Sequence, residues 1–98
     1  MAKYVFAYTG GGMPETEEEG KRAMEAWTAW FAGLGDKVVD MGNPFGASKA
    51  VGNGGPSGLT GYSIVTAGSL DDAAGLAGGC PILEGGKGAV EIYEAIEM

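Results

Sequence analysis

Residues 16–46 of the chain read TEEEGKRAMEAWTAWFAGLGDKVVDMGNPFG and decide most of the fold. Thr16, with Glu19 three residues later, fits a capping box, and glutamates fill the first turn, where negative charge meets the positive end of the helix dipole. Apolar residues then recur at helical spacing: Ala23, Met24, Trp27, Trp30, Phe31 and Leu34. Gly35 is well placed to end the helix. This pattern predicts an amphipathic helix whose aromatic stripe belongs to the core.

The composition limits both the size and the partners of the protein. A chain of 98 residues predicts a single domain over residues 1–98. Its net charge of −7 opposes binding to nucleic acids and to anionic membranes, which need lysine and arginine. The chain has no histidine and one cysteine, Cys80, so we expect no metal site, no cofactor and no internal disulfide. The single cysteine and a first strand without a signal-peptide pattern favour the cytoplasm.

Further elements follow from alternation and turn signals. We expect strands over residues 3–9, 36–41, 59–67 and 89–96, and Ser69 with Asp72 predicts a second helix over Leu70–Ala77. Asn53-Gly54 is a hairpin signal, and residues 48–51 are a candidate extra strand. The order β-α-β-(hairpin)-β-α-β therefore predicts an α+β domain in which two helices cover one face of a four-stranded sheet.

The second face of this sheet suggests a partner. The first strand is apolar on both faces, and Val65, Ala67 and Tyr93 are expected to lie opposite the residues that pack on the helices. Exposing such a face to water would be costly, so the sequence predicts a homodimer in which two sheets pack face to face.

The segment 42–59 is too long and too rich in glycine for a simple connection, so we expect it to form a wall or lid of a pocket. Phe45 is expected to pack over an apolar opening that faces the sheet and the first helix. The predicted ligand-binding residues for a small apolar or weakly anionic molecule are Tyr8, Trp27, Asn43, Phe45, Ser48, Lys49 and Tyr62. The alternative is that the polar loop residues are solvated and that the tyrosines are half-buried with wet tips.

The order of five segments resembles the YCII-related family: KYVFAY, the helix with Trp27, Trp30 and Phe31, GNPFG with Ser48 and Lys49, TGYSIV with SLDDA, and GCP with VEIYEAI. The resemblance covers nearly the whole chain. It implies a ferredoxin-like βαββαβ domain with an antiparallel sheet that forms a dimeric α+β barrel. Better-studied relatives on this barrel include lactone-processing enzymes and monooxygenases.

The resemblance does not supply a catalytic pair. Some family members carry a proposed His–Asp pair, at positions that correspond roughly to Met24 and to Cys80 here, and neither residue type is present. Glu91, on the strand face that would line a barrel interior, remains as an acid/base candidate. The alternative, which its alternation with Glu94 favours, is an exposed carboxylate on an edge strand. Three functions stay open: a small-molecule-binding dimer, an acid/base enzyme acting on a small apolar or lactone-like substrate, and a structural or regulatory partner domain.

Overall fold

The computed structural model describes residues 1–10, 15–54 and 57–97. Within these ranges the chain is an α+β domain, which confirms the predicted fold class. Its elements in chain order are β1 (Ala2–Gly10), α1 (Glu17–Leu34), a 3-10 turn (Gly35–Lys37), β2 (Val38–Asp40), β3 (Leu59–Ala67), α2 (Leu70–Ala77), a 3-10 helix (Pro81–Gly86) and β4 (Gly88–Ala95).

The four described strands form one antiparallel sheet in the order β2-β3-β1-β4, which is the ferredoxin-like arrangement. In β1, Phe6 lies opposite Ser63 of β3 and Ile92 of β4. These three side chains therefore share one face of the sheet, and the helices pack on that face.

The helix ends follow the sequence signals closely. The Thr16 hydroxyl accepts a hydrogen bond from the Glu19 amide (3.1 Å), and the Ser69 hydroxyl accepts one from the Asp72 amide (3.1 Å). Gly35 has a positive φ of 56°, a conformation that glycine adopts without a steric penalty. These contacts explain why both helices begin where the sequence predicts and why α1 ends before Gly35.

The core centres on β1 and β3, with Phe6 and Val65 fully buried beneath the helices. The aromatic stripe of α1 contacts this core through its rings, since Phe6 stacks on Trp30 with centroids 6.1 Å apart. Tyr8 meets Trp27 edge to face at 5.2 Å. The stripe nevertheless stays half-exposed, and Leu34 is the one residue of α1 that is buried. The bulky rings keep the helix away from the sheet and leave one side of the stripe open.

Two sequence expectations about the sheet are wrong in detail. Residues 46–54 form bends without strand structure, so the extra hairpin with a strand at 48–51 is not present in this described segment. Its side chains are exposed and have no apolar surface to cover, so nothing stabilises a further strand.

Val65 and Ala67 are buried on the helix-packed face, because Val65 pairs with Tyr4. The open face is lined instead by residues of the other parity, including Val5 and Ile64.

A membrane-spanning helix is not found among the described residues, because neither α1 nor α2 is long and apolar enough to cross a bilayer.

A candidate binding cleft between the first helix and the sheet edge

A cleft of about 980 Å³ lies between α1 and the β2 edge of the sheet. Helix α1 contributes one wall with the side chains of its half-exposed stripe, and β3 and the segment 41–44 contribute the other. The lining residues are Tyr8, Gly20, Ala23, Met24, Trp27, Thr28, Phe31, Ala32, Gly35, Val38, Met41, Gly42, Asn43, Pro44, Thr60, Gly61, Tyr62, Ser63 and Ile82.

The cleft wall is uncharged: none of these described lining residues is an Asp, Glu, Lys or Arg. Apolar side chains dominate, and both methionines among them are exposed to solvent, Met24 to 73% and Met41 to 61%. Exposed thioether side chains next to aromatic rings form an adaptable apolar surface. An ionised ligand would find no counter-charge on this wall, whereas an uncharged apolar ligand would remove the methionines from water.

The deepest polar groups of the cleft form a short hydrogen-bond chain. The Tyr8 hydroxyl donates to Ser63 Oγ (2.8 Å), and the Ser63 hydroxyl donates to the Met41 carbonyl oxygen (2.7 Å). Tyr8 is 5% exposed and Ser63 is 0% exposed, yet both line the cleft. Burial raises the pKa of the Tyr8 phenol well above its usual range, so this group is a neutral hydroxyl at neutral pH.

The opposite wall is held in place by backbone geometry around Gly42. The Gly42 amide donates to Asp40 Oδ1 (2.8 Å), and the residue has a positive φ of 78°. A Cβ atom at this position would lie 1.7 Å from the Tyr62 carbonyl oxygen, so only glycine fits. Beyond it, Pro44 bridges to Gly61 in an antiparallel sense, which continues the sheet edge past the end of β2.

Four of the seven predicted ligand-binding residues border the cleft: Tyr8, Trp27, Asn43 and Tyr62. Tyr62 does so although its side chain is on the sheet face opposite Tyr8. Phe45 does not. Its amide donates to the Thr60 carbonyl (2.9 Å), and its ring stacks on the Tyr62 ring with centroids 5.7 Å apart. The strand alternation that places Tyr8 towards α1 turns the Tyr62 side chain to the other face, and Phe45 follows it there.

The two remaining predicted residues, Ser48 and Lys49, are exposed and are not part of the cleft wall. Sequence reasoning missed Ser63, Met24 and Phe31 as lining residues. The helical spacing of Trp27 and Phe31 was the available signal for the helix wall. For Ser63 the sequence held no local signal, because strand alternation does not decide which face meets the helices.

The acid/base candidate from the sequence lies elsewhere. Glu91 pairs with Ala7 across the sheet, on the face opposite the cleft, and is exposed. The Tyr93 hydroxyl donates to its carboxylate, and this hydrogen bond raises the pKa of Tyr93. Glu91 therefore has no contact with a molecule held in the cleft.

The single cysteine is buried next to a second cavity of about 600 Å³, which Trp30 also lines. Burial raises the pKa of Cys80 to about 11, so the side chain is a thiol rather than a nucleophilic thiolate. A cluster of three or more residues able to hold a metal ion is not found among the residues that the structure describes.

Comparison with solved structures supports the fold. The chain is similar to TftG, the 5-chloro-2-hydroxyhydroquinone dehydrochlorinase from Burkholderia phenoliruptrix AC1100, in its complex with 2,5-dihydroxybenzoquinone. The TM-score is 0.63 and the identity is 18%, and the match covers 98% of this chain and 95% of that chain. No protein-family model and no curated protein matches the sequence. The ferredoxin-like α+β class is thus shared with a known protein over nearly the whole length, and at this identity the likeness establishes the fold alone.

Proposed function

We propose that this protein binds a small, uncharged, largely apolar molecule in the cleft between α1 and the sheet edge. The observation that carries the proposal is the combination of a cleft of about 980 Å³ with a described wall free of charged residues. Small-molecule sites are typically mostly apolar, with a few placed polar groups and volumes of about 300–1,000 Å³. The Tyr8–Ser63 pair supplies such polar groups here.

The structural neighbour supports a flat ligand built on one ring. TftG was solved with 2,5-dihydroxybenzoquinone, a flat molecule built on one six-membered ring. Such rings have faces that stack on indole and phenyl side chains, which Trp27 and Phe31 offer on the cleft wall. A planar aromatic ligand is therefore the class that we favour for this chain.

Binding is favoured over acid/base catalysis at this cleft. A general acid or base needs a pKa near the working pH and must reach the reacting proton. The Tyr8 phenol has a pKa raised by burial, and Glu91 lies on the other face of the sheet. The residues that correspond to the His–Asp pair offer no substitute, because Met24 does not ionise and Cys80 is not part of the cleft wall.

The open sheet face supports a homodimer as part of this proposal. Val5, Ile64 and Tyr93 lie on the face away from the helices and are partly exposed, and a second copy would remove them from water. This arrangement agrees with the dimeric α+β barrel that the YCII-related motifs imply, so we propose membership of that family. The cytoplasmic location and the single domain over residues 1–98 stay predictions.

The binding proposal is tested with two fluorescent probes of the same aromatic skeleton. N-phenyl-1-naphthylamine is uncharged, and 1-anilinonaphthalene-8-sulfonate adds one negative charge. We expect saturable fluorescence enhancement with the neutral probe and affinity at least about tenfold lower for the sulfonate, because the wall has no cation and the chain has a net charge of −7.

A matched pair of variants locates the binding site on α1. Thr28 lines the cleft and Glu25 does not, although both lie on the same helix. Thr28→Trp should block the neutral probe, and Glu25→Trp should leave its affinity within about twofold of the wild type. Unchanged binding in Thr28→Trp, or no saturable binding in the wild type, would contradict the proposed function.

A further inference from the structure

We propose that the cleft selects ligands that carry a hydrogen-bond donor, such as a neutral phenol or an N–H group, because Tyr8 presents only an acceptor to it. This inference rests on the proposed function and makes Tyr8 its specificity-determining residue. It separates a hydroxyl-bearing aromatic molecule from an ether or a ketone of nearly the same shape.

The proton positions follow from the chemistry of the hydrogen-bond chain. The Met41 carbonyl oxygen can only accept, so the Ser63 hydroxyl must donate its one proton in that direction. Ser63 Oγ then has no proton left for Tyr8 and must accept from it. The Tyr8 proton is therefore committed to Ser63, and the free capacity of the Tyr8 oxygen is its remaining lone pair.

This hydrogen-bond chain affects ligand selection because its hydroxyl groups are buried. Tyr8, Ser63 and Met41 all line the cleft, and the two hydroxyl groups belong to nearly fully buried residues. A ligand that fills the cleft lies against Tyr8. A ligand with a donor can bond to the remaining lone pair of the Tyr8 oxygen, whereas a ligand without one leaves that lone pair without a partner.

A second hydroxyl group on the cleft wall can also only accept a hydrogen bond from a ligand. The Thr60 hydroxyl donates to the carbonyl oxygens of Tyr8 and Gly10, each at 3.3 Å, so it too can only accept from a ligand. Asn43, which could donate through its amide, is exposed at the rim and remains accessible to water. The Tyr8 and Thr60 hydroxyl groups therefore agree in favouring a donor on the ligand.

The inference is tested by calorimetric titration with 2-naphthol, 2-methoxynaphthalene and naphthalene at neutral pH, where naphthol is uncharged. We expect the wild-type protein to bind 2-naphthol about fivefold or more tightly than the other two probes, the difference that one net hydrogen bond makes. Equal affinity for naphthol and its methyl ether, with all three probes bound, would overturn the donor preference and leave the proposed function standing. Absence of binding by all three would contradict both.

Two variants and one control distinguish a hydrogen bond at Tyr8 from a general effect of polarity. Tyr8→Phe should bring the affinity for 2-naphthol down to that for naphthalene, and Tyr93→Phe, a matched change on the other sheet face, should keep the preference. Ser63→Ala should free the Tyr8 proton to donate to a ligand, so the affinity for 2-methoxynaphthalene should rise several-fold.

A merely structural role of Ser63 would not raise the affinity of Ser63→Ala for 2-methoxynaphthalene. If this variant is folded by circular dichroism and its preference among the three probes is unchanged, the assigned proton direction is wrong. The wild-type comparison requires no variant to fold, so it decides the donor preference by itself.

Discussion

Replacing Gly42 by alanine should damage the cleft wall and the stability of the domain together. The residue has a φ of 78°, and a left-handed conformation costs an alanine about 1–2 kcal/mol. The new Cβ would also lie 1.7 Å from the Tyr62 carbonyl oxygen, which is backbone and cannot rotate away. Moving the wall to relieve this overlap adds about 1–3 kcal/mol.

The combined loss for Gly42→Ala is therefore about 2–5 kcal/mol in the free energy of unfolding. For a domain of this size, each kcal/mol lowers Tm by about 4–8 °C, so even the smaller loss lowers Tm by about 8–16 °C. Urea and thermal unfolding, followed by far-UV circular dichroism, measure this change. The same shift should move Met41 away from Ser63 and weaken binding of the neutral probe in the protein that remains folded.

Gly33→Ala is the matched control for this prediction. Gly33 lies within α1 without a positive φ, and a Cβ atom added to it would meet no other atom within 4 Å. Alanine is the better helix former there, so the control should be stabilised by about 0.5–1 kcal/mol. The reasoning is refuted if Gly42→Ala loses less than about 1 kcal/mol, the low end of the conformational cost alone.

Three further perturbations have defined outcomes. Ile64→Asp on the open sheet face should convert the proposed homodimer to monomers in sedimentation velocity, and a wild-type monomer would contradict the dimer. Cys80 should resist Ellman's reagent at mildly alkaline pH until urea unfolds the chain, because burial keeps it a thiol, and rapid labelling of the folded protein would contradict this. Burial raises the pKa of Tyr8 in the folded protein, so above about pH 10 the phenol ionises in the unfolded chain before it does so in the folded one. The stability that the neutral Tyr8 phenol contributes is therefore present below about pH 10 and is lost above it. Tyr8→Phe should therefore lose less stability than the wild type as the pH rises from about 9 to about 11, and an equal loss would argue against burial of the phenol.

Much of the fold could be predicted because the chain marks its helix boundaries with specific chemistry. Thr16 and Ser69 accept hydrogen bonds at the predicted helix starts, and Gly35 follows the last residue of α1 with a positive φ, as expected of a glycine that ends a helix. The strand Leu59–Ala67 was also predicted at its observed bounds. These signals are local, so they depend little on how distant parts of the chain pack.

The face assignments were harder, because they depend on how strands pair. Alternation shows that Ser63 and Val65 share a face but not which face meets the helices. The pairing of Val65 with Tyr4 decides this, and it moves Val65 to the core. The loop hairpin at 48–51 failed for a related reason: a turn signal at Asn53-Gly54 does not form a strand pair without an apolar face to bury.

The candidate site was predicted only in part, because it too depends on how distant strands pair. Trp27 and Tyr8 were identified from their size and their elements, and both line the cleft. Phe45 was expected to cover the opening, but the continuation of the sheet edge past Pro44 carries its ring to the other face, against Tyr62. The Tyr8–Ser63 hydrogen bond joins residues 55 positions apart in the chain, so no local pattern could reveal it.

The central claim, that a small neutral molecule binds between α1 and the sheet edge, is tested most directly by amide chemical shifts in a ¹H–¹⁵N NMR titration with 2-naphthol. The account predicts saturable shifts concentrated in α1 residues that line the cleft and in residues 41–43 and 60–63, with little change at Glu91 and Tyr93 on the opposite sheet face. Shifts centred on Glu91 and Tyr93, or no saturable shift in the cleft, would contradict it.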